Sequence, residues 1–177
     1  MLKNAIRILK SGGVIAFPTE TVYGIGASLK CLPAIIRLFK IKKRPRSKPF
    51  QILIANMKQA QELGKFNTKA LELAEKYWPG PLTLVVYKTR KVPKLVTGGT
   101  SKVGLRMPAH KTILDLIRKC GPIVATSANH SGEKPALTAK EVKTKLPEVD
   151  YILSGKTKLG KASQVIDATK SFKVLRA

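Results

Sequence analysis

The chain has 177 residues, is 44% hydrophobic and carries 34 Lys and Arg against 10 Asp and Glu, for a formal net charge of +24. One domain with a real core is expected at this length, and the charge favours anionic partners such as nucleic acid, nucleotides or anionic lipid, although a lysine-rich surface can also be a general trait of composition. Cys31, Cys120, His110 and His130 match no zinc or disulfide spacing, the segment MLKNAIRILKSGG is too interrupted by Lys and Arg for a signal peptide, and no apolar run approaches the roughly 18 residues that span a bilayer.

In chain order, NAIRILKSGG (4–13) predicts an amphipathic helix with a glycine stop. VIAF (14–17) predicts a buried strand, and LPAIIRLFKI (32–41) a helix with Pro33 in its first turn, where the missing N–H costs little. FQILIA (50–55) reads as a strand. TKALELAEKYW (68–78) reads as a helix with Thr68 as its N-cap, stopped by Trp78-Pro79-Gly80-Pro81. LTLVVY (82–87) and KVGLRM (102–107) are strands, KTILDLIRKC (111–120) a helix ended by Gly121, PIVATS (122–127) a strand and TAKEVKTKL (138–146) a helix. DYIL (150–153), SQVID (163–167) and FKVLR (172–176) complete the strands. The alternation predicts an α/β domain built on one sheet, with function in the Gly, Pro, Ser and Thr-rich connections.

The ten carboxylates are spread mostly over predicted helices, so paired-carboxylate hydrolysis is not expected; only Glu20 and Asp167 adjoin segments of unusual character. GKTKLGKA (155–162) is a near P-loop, but Ala162 stands where the magnesium hydroxyl belongs and the next segment predicts a strand instead of a helix. YGIGASL has only two glycines of a dinucleotide fingerprint. What remains are polar clusters at strand ends: Thr19, Glu20, Thr21 and Tyr23 after one strand, Arg106 after another, Ser127, Asn129 and Ser131 after a third, and Ser163 before a fourth. The basic run IKKRPRSKPF (41–50) adds cations stiffened by Pro45 and Pro49. Basic and hydroxylic residues with few acids suit phosphoryl or nucleotidyl transfer, which rests on electrostatics and positioning. A non-catalytic RNA-binding module also accounts for the charge.

GGVIAFPTETVYGIGA, KKRPRSKP, WPGPLTLVV, VGLRMPAH, IVATSANHSG and GKASQVID follow one another in the order seen in threonylcarbamoyl-AMP synthases of the YrdC type, which this chain resembles from about Gly12 onward. The resemblance implies one YrdC-like catalytic domain over 1–177: an α/β fold, a twisted mixed sheet with flanking helices around a deep basic cleft. It also implies a cytoplasmic enzyme without membrane contact. Such an enzyme makes threonylcarbamoyl-AMP and pyrophosphate from ATP, L-threonine and bicarbonate. Downstream transferase proteins then pass the group to an adenosine beside the tRNA anticodon, and direct tRNA or other RNA contact is expected.

Carried over residue by residue, the family's K-x-R motif falls on Lys42 and Arg44 and its S-x-N motif on Ser127 and Asn129, the implied catalytic set. Thr21, Arg106 and Ser163 would hold threonine, Arg106 by pairing with its carboxylate. Arg44, Lys48, Ser127 and Arg176 would hold ATP, with Tyr23 walling the pocket. Lys43 and Arg46 would face solvent or tRNA. Mg2+ would be bound mainly through ATP, and no residue is assigned to a metal. The sequence departs from relatives in having Leu53 where some carry His and Pro135 where many carry Ser, and the resemblance is to the short form without a second domain. Three alternatives remain here: the non-catalytic RNA-binding module, a carbamoyl-adenylate enzyme of the hydrogenase-maturation type and a P-loop ATPase.

Overall fold

The computed structural model describes residues 1–170 and 172–177. The helices are α1 (Leu2–Lys10), α2 (Leu32–Lys42), α3 (Met57–Leu63), α4 (Thr68–Tyr77), α5 (Lys111–Cys120) and α6 (Ala139–Lys145). The strands are β1 (Ile15–Pro18), β2 (Tyr23–Ser28), β3 (Gln51–Leu53), β4 (Gly64–Lys65), β5 (Leu82–Lys88), β6 (Lys102–Arg106), β7 (Ile123–Ser127), β8 (Tyr151–Ile152), β9 (Gln164–Asp167) and β10 (Lys173–Arg176). They form one mixed sheet in the order β10-β9-β5-β6-β3-β7-β2-β1-β8, with β4 on β5. Pairings β1–β8, β3–β6 and β5–β9 are parallel and the others antiparallel. No helix among the described residues is long and apolar enough to cross a membrane.

Three departures from the sequence reading have local causes. β2 lies in the YGIGASL stretch, to which the sequence reading assigns no strand, yet all six of its residues are buried. A Cβ on Gly26 would stand 2.6 Å from the Val124 carbonyl and 2.7 Å from Ile123 Cγ2, so the glycine admits β7 at close range. α3 escapes a periodicity reading because it is only seven residues long. Its cap is nonetheless written as Asn56-x-x-Gln59: the Asn56 side chain accepts from the Gln59 N–H, and Gln59 Oε1 accepts from the Ala55 N–H. The N-cap of α4 is Asn67 and not Thr68, since Asn67 Oδ1 accepts from the Ala70 N–H at 2.8 Å while Thr68 is already helical. Pro33 does sit at the start of α2.

The core runs through the sheet, where Phe17, Ile25, Ile52, Leu84, Leu105 and Val124 have almost no exposure. Packing β3 between β6 and β7 aligns Leu53 with both Arg106 and Ile123. The register of β2 on β7 pairs Gly24 with Ser127. These two registers bring the ends that carry Thr21, Arg106 and Ser127 to one region of the sheet.

Candidate active site

A cavity of about 420 Å³ opens on this region. Thr21, Tyr23, Arg44, Arg106, Ser127, Ser163 and Arg176 all line it. They come from separated parts of the chain, so the sheet order, not sequence proximity, assembles the wall.

Lys42 and Asn129 stand one layer back, outside the lining. The Lys42 side chain is 2% exposed. Its ammonium donates to the Ser127 carbonyl at 2.7 Å, to Ser127 Oγ at 3.2 Å and to Asn129 Oδ1 at 2.8 Å, which uses all three protons. Asn129 Nδ2 in turn donates to the carbonyls of His130 and Glu133. The Lys–Ser–Asn group therefore fixes the end of β7, and only Ser127 of the three meets the cavity. Burial pushes the Lys42 pKa down to about 7, with Arg44 adding to the drop and Glu133 opposing it.

Arg44 closes its own loop. Its Nε donates to the Lys48 carbonyl and its Nη2 to the Pro49 carbonyl at 2.9 Å, and the guanidinium lies 5.4 Å from the Phe50 ring centroid. Lys48 itself is exposed and does not line the cavity; Lys43 and Arg46 are exposed too. The loop rests on the turn at Gly98, whose φ is +59° and whose added Cβ would lie 2.3 Å from the Ser47 carbonyl.

Arg106 is almost wholly buried. Its Nη2 donates to Glu20 Oε1 at 2.7 Å and to Thr21 Oγ1 at 3.0 Å, and its Nε donates to the Gly80 carbonyl. Gly80 is presented by the Trp78–Leu82 turn, where the indole Nε1 donates to the Leu82 carbonyl at 2.7 Å. Glu20 Oε2 is buried without a partner among the described residues. Across the cavity, Arg176 donates from Nε to the Ser163 carbonyl and from Nη2 to Ser163 Oγ. Burial lowers the pKa of Arg44, Arg106 and Arg176, and cation repulsion lowers two of them further: Arg176 acts on Arg44, and Arg106 acts on Arg176. Arg44 and Arg176 thus face the cavity under mutual repulsion, while Arg106 is already paired with Glu20; such an arrangement suits an anion.

Asp167 is the one carboxylate lining the cavity among the described residues, and it is held by Lys102 at 2.6 Å and by Thr169. No group of three or more His, Cys, Asp or Glu could hold a metal among the described residues.

Gln51, Thr83, Lys102 and Asp167 also line the cavity, and Glu20 anchors its arginine; the sequence singled out Glu20 and Asp167 without a specific role and pointed to none of the other three. Gln51, Thr83 and Lys102 look like ordinary strand residues, and only the pairing of β3, β5, β6 and β9 turns them to one face. The near P-loop forms no phosphate cradle. Residues 155–162 contain no helix and β9 follows them. Their Lys158 and Leu159 N–H groups donate to the Glu20 carbonyl, and the Gly160 N–H donates to that of Thr21. Tyr23 anchors the start of this strap: its hydroxyl accepts from the Gly155 N–H and lies 3.0 Å from the Gly155 carbonyl.

The Sua5/YciO/YrdC family model, described as telomere recombination, matches residues 7–177. The threonylcarbamoyl-AMP synthase of Pyrococcus abyssi (strain GE5 / Orsay) is 41% identical over 173 residues, covering 96% of this chain and 51% of that protein. The threonylcarbamoyl-AMP synthase of Psychromonas ingrahamii is 35% identical over 145 residues, covering 80% of this chain and 76% of that protein. The crystal structure of P. abyssi Sua5 complexed with L-threonine matches with a TM-score of 0.90 at 41% identity, over 94% of this chain and 50% of that one. The chain thus spans about half the length of the P. abyssi relative.

Proposed function

The chain belongs to the Sua5/YciO/YrdC family, and on that premise we propose that it makes threonylcarbamoyl-AMP from ATP, L-threonine and bicarbonate, as a nucleotidyltransferase acting in the cytoplasm. The observation that carries this reading is the convergence of Arg44, Arg106 and Arg176 with Thr21, Ser127 and Ser163 on one acid-poor cavity. The relative solved with L-threonine supports an amino acid as one occupant.

The threonine amine and bicarbonate condense to a carbamate with loss of water. A carbamate oxygen then attacks the α-phosphorus of ATP, the bond to the bridging oxygen breaks and pyrophosphate leaves. Both partners are anions, so the chief task of the protein is to bring them together and offset their repulsion. Arg106 pairs with the amino-acid carboxylate, with Thr21 and Ser163 beside it. Arg44 and Arg176 take phosphate oxygens. Ser127 orients the reacting groups, while Lys42 and Asn129 act through Ser127 by holding its backbone and hydroxyl. When bound, Mg2+ would neutralise phosphate charge, held mainly through ATP and water. Lys48, exposed next to Arg44, suits the outer phosphates, and Lys43 and Arg46 suit a tRNA backbone. The product is a reactive mixed anhydride, so transferase proteins that act on tRNA must consume it.

The test is mass spectrometry of the product formed from ATP, threonine and bicarbonate, with pyrophosphate release followed in parallel. Folded Lys42→Ala and Arg44→Ala proteins should lose most of that release; wild-type rates in both would refute the assignment. Binding of RNA without any threonine-dependent turnover would instead favour a non-catalytic RNA module.

A further inference from the structure

Two hydroxyls on the cavity wall have their hydrogen-bond polarity dictated by their neighbours. A hydroxyl has one proton to give and two lone pairs to receive. Thr19 Oγ1 stands 2.7 Å from the Val22 carbonyl and 2.7 Å from Thr21 Oγ1. A carbonyl can only accept, so the Thr19 proton goes to Val22, and the Thr19–Thr21 bond must be donated by Thr21. Thr21 Oγ1 also accepts from Arg106 Nη2 at 3.0 Å. Its proton and one lone pair are therefore committed, and only an acceptor site remains.

The same arrangement recurs on the other wall with different strands. Thr83 Oγ1 donates to Gln51 Oε1 at 2.8 Å and lies 2.9 Å from Ser163 Oγ. In the orientation Gln51 takes, with Oε1 toward Thr83, the Thr83 proton is spent on Gln51 and Ser163 donates to Thr83. Ser163 Oγ accepts from Arg176 Nη2 at 3.1 Å. Again one acceptor lone pair is left. Thr19, Thr83 and Ser163 are each 3% exposed or less, so water does little to loosen these assignments.

We propose that Thr19 and Thr83 are specificity-determining residues: by absorbing the protons of Thr21 and Ser163 they make both hydroxyls obligate acceptors, and so select an amino acid that presents hydrogen-bond donors there, its amine and a side-chain hydroxyl. This rests on the amino-acid reading of the site given above. Neither hydroxyl can serve a carboxylate, which needs donors. The carboxylate is left to Arg106, whose Nε and Nη2 are engaged within the protein while Nη1 has no partner among the described residues. An amino acid with a methyl in place of the hydroxyl would leave an acceptor buried and unanswered, which is a strong form of rejection.

The test compares L-threonine with L-valine, its near-isostere without the hydroxyl, by isothermal titration of wild type, Thr83→Val, Thr19→Val and Thr83→Ser, with ATP titrated separately. Thr83→Val and Thr19→Val free a proton on Ser163 or Thr21. The expected result is a loss of about tenfold in threonine affinity in both valine variants with ATP unaffected; valine is little changed in the variant whose freed hydroxyl faces the side chain and falls alongside threonine in the one whose freed hydroxyl faces the amine, since one hydrogen bond is of the order of one decade. Thr83→Ser, which keeps the hydroxyl, should restore the preference for threonine. An unchanged threonine-to-valine ratio in both valine variants overturns the proposal, as does a parallel loss for threonine, valine and ATP, which marks a structural role. If wild type binds no amino acid, the functional reading itself fails and the proposal falls with it.

Discussion

Glu20→Gln tests the buried electrostatics of the cavity. The carboxylate and the Arg106 guanidinium meet at 2.7 Å, with side-chain exposures of 7% and 3%. With charge centres roughly 4 Å apart and an effective dielectric of roughly 20, their attraction is about 4 kcal/mol. Removing one partner of a buried pair typically costs about 3–5 kcal/mol, because the other charge is stranded. Glutamine keeps the shape, and Arg106 retains Thr21 and the Gly80 carbonyl, so the loss should fall near the lower end. For a chain of this size, about 3 kcal/mol corresponds to a drop in Tm of roughly 6–12 °C. Thermal denaturation without ligand measures it directly. Saturating threonine should then stabilise the variant more than wild type, because the ligand carboxylate supplies the missing counter-charge. A drop below roughly 2 °C, or equal threonine stabilisation of both proteins, would show that Arg106 does not depend on Glu20 and would refute the reasoning.

Two further outcomes follow from the same geometry. The Lys42 pKa falls from its ordinary 10.5 to about 7 in the fold, so below about 7 both states hold the proton, and between about 7 and 10.5 the native state releases a proton that the unfolded chain keeps. Wild-type stability relative to Lys42→Met should therefore rise with pH through that window, as read from denaturant midpoints, and a flat difference would contradict the burial argument. Gly98→Ala places a methyl against the Ser47 carbonyl at a positive φ, so it should cost about 1–3 kcal/mol and weaken ATP binding more than threonine binding, because the displaced loop carries Arg44. Equal effects on the two ligands would place the loop outside the nucleotide end.

How far the residues spoke for themselves differs between parts of the molecule. Helices α2, α4 and α5 were legible because their apolar spacing, first-turn proline or terminal glycine acts within a few residues. β2 was not, because its glycines match only part of a fingerprint while in fact making room for a neighbouring strand, and no local pattern reveals that neighbour. The site divides in the same way. Lys42, Arg44, Arg106, Ser127, Asn129 and Ser163 stand in short motifs whose order along the chain pointed to a family, so their identity was available without coordinates.

Their division of labour was not available from the motifs. Lys42 looks like a cation aimed at substrate, but α2 buries it and spends its three protons on Ser127 and Asn129. Glu20 stands out in the sequence as a carboxylate in a polar cluster, but its partner Arg106 emerges only when β1 and β6 bring the two together. Thr83 and Gln51 read as alternating strand residues, and only the pairing of β5 with β9 and β3 with β6 joins them to Ser163. Sequence determines which groups can give or take a proton and which segments fold locally. Hydrogen-bond direction and charge pairing depend on distances of about 3 Å between residues dozens of positions apart, and those distances exist only once the sheet has closed.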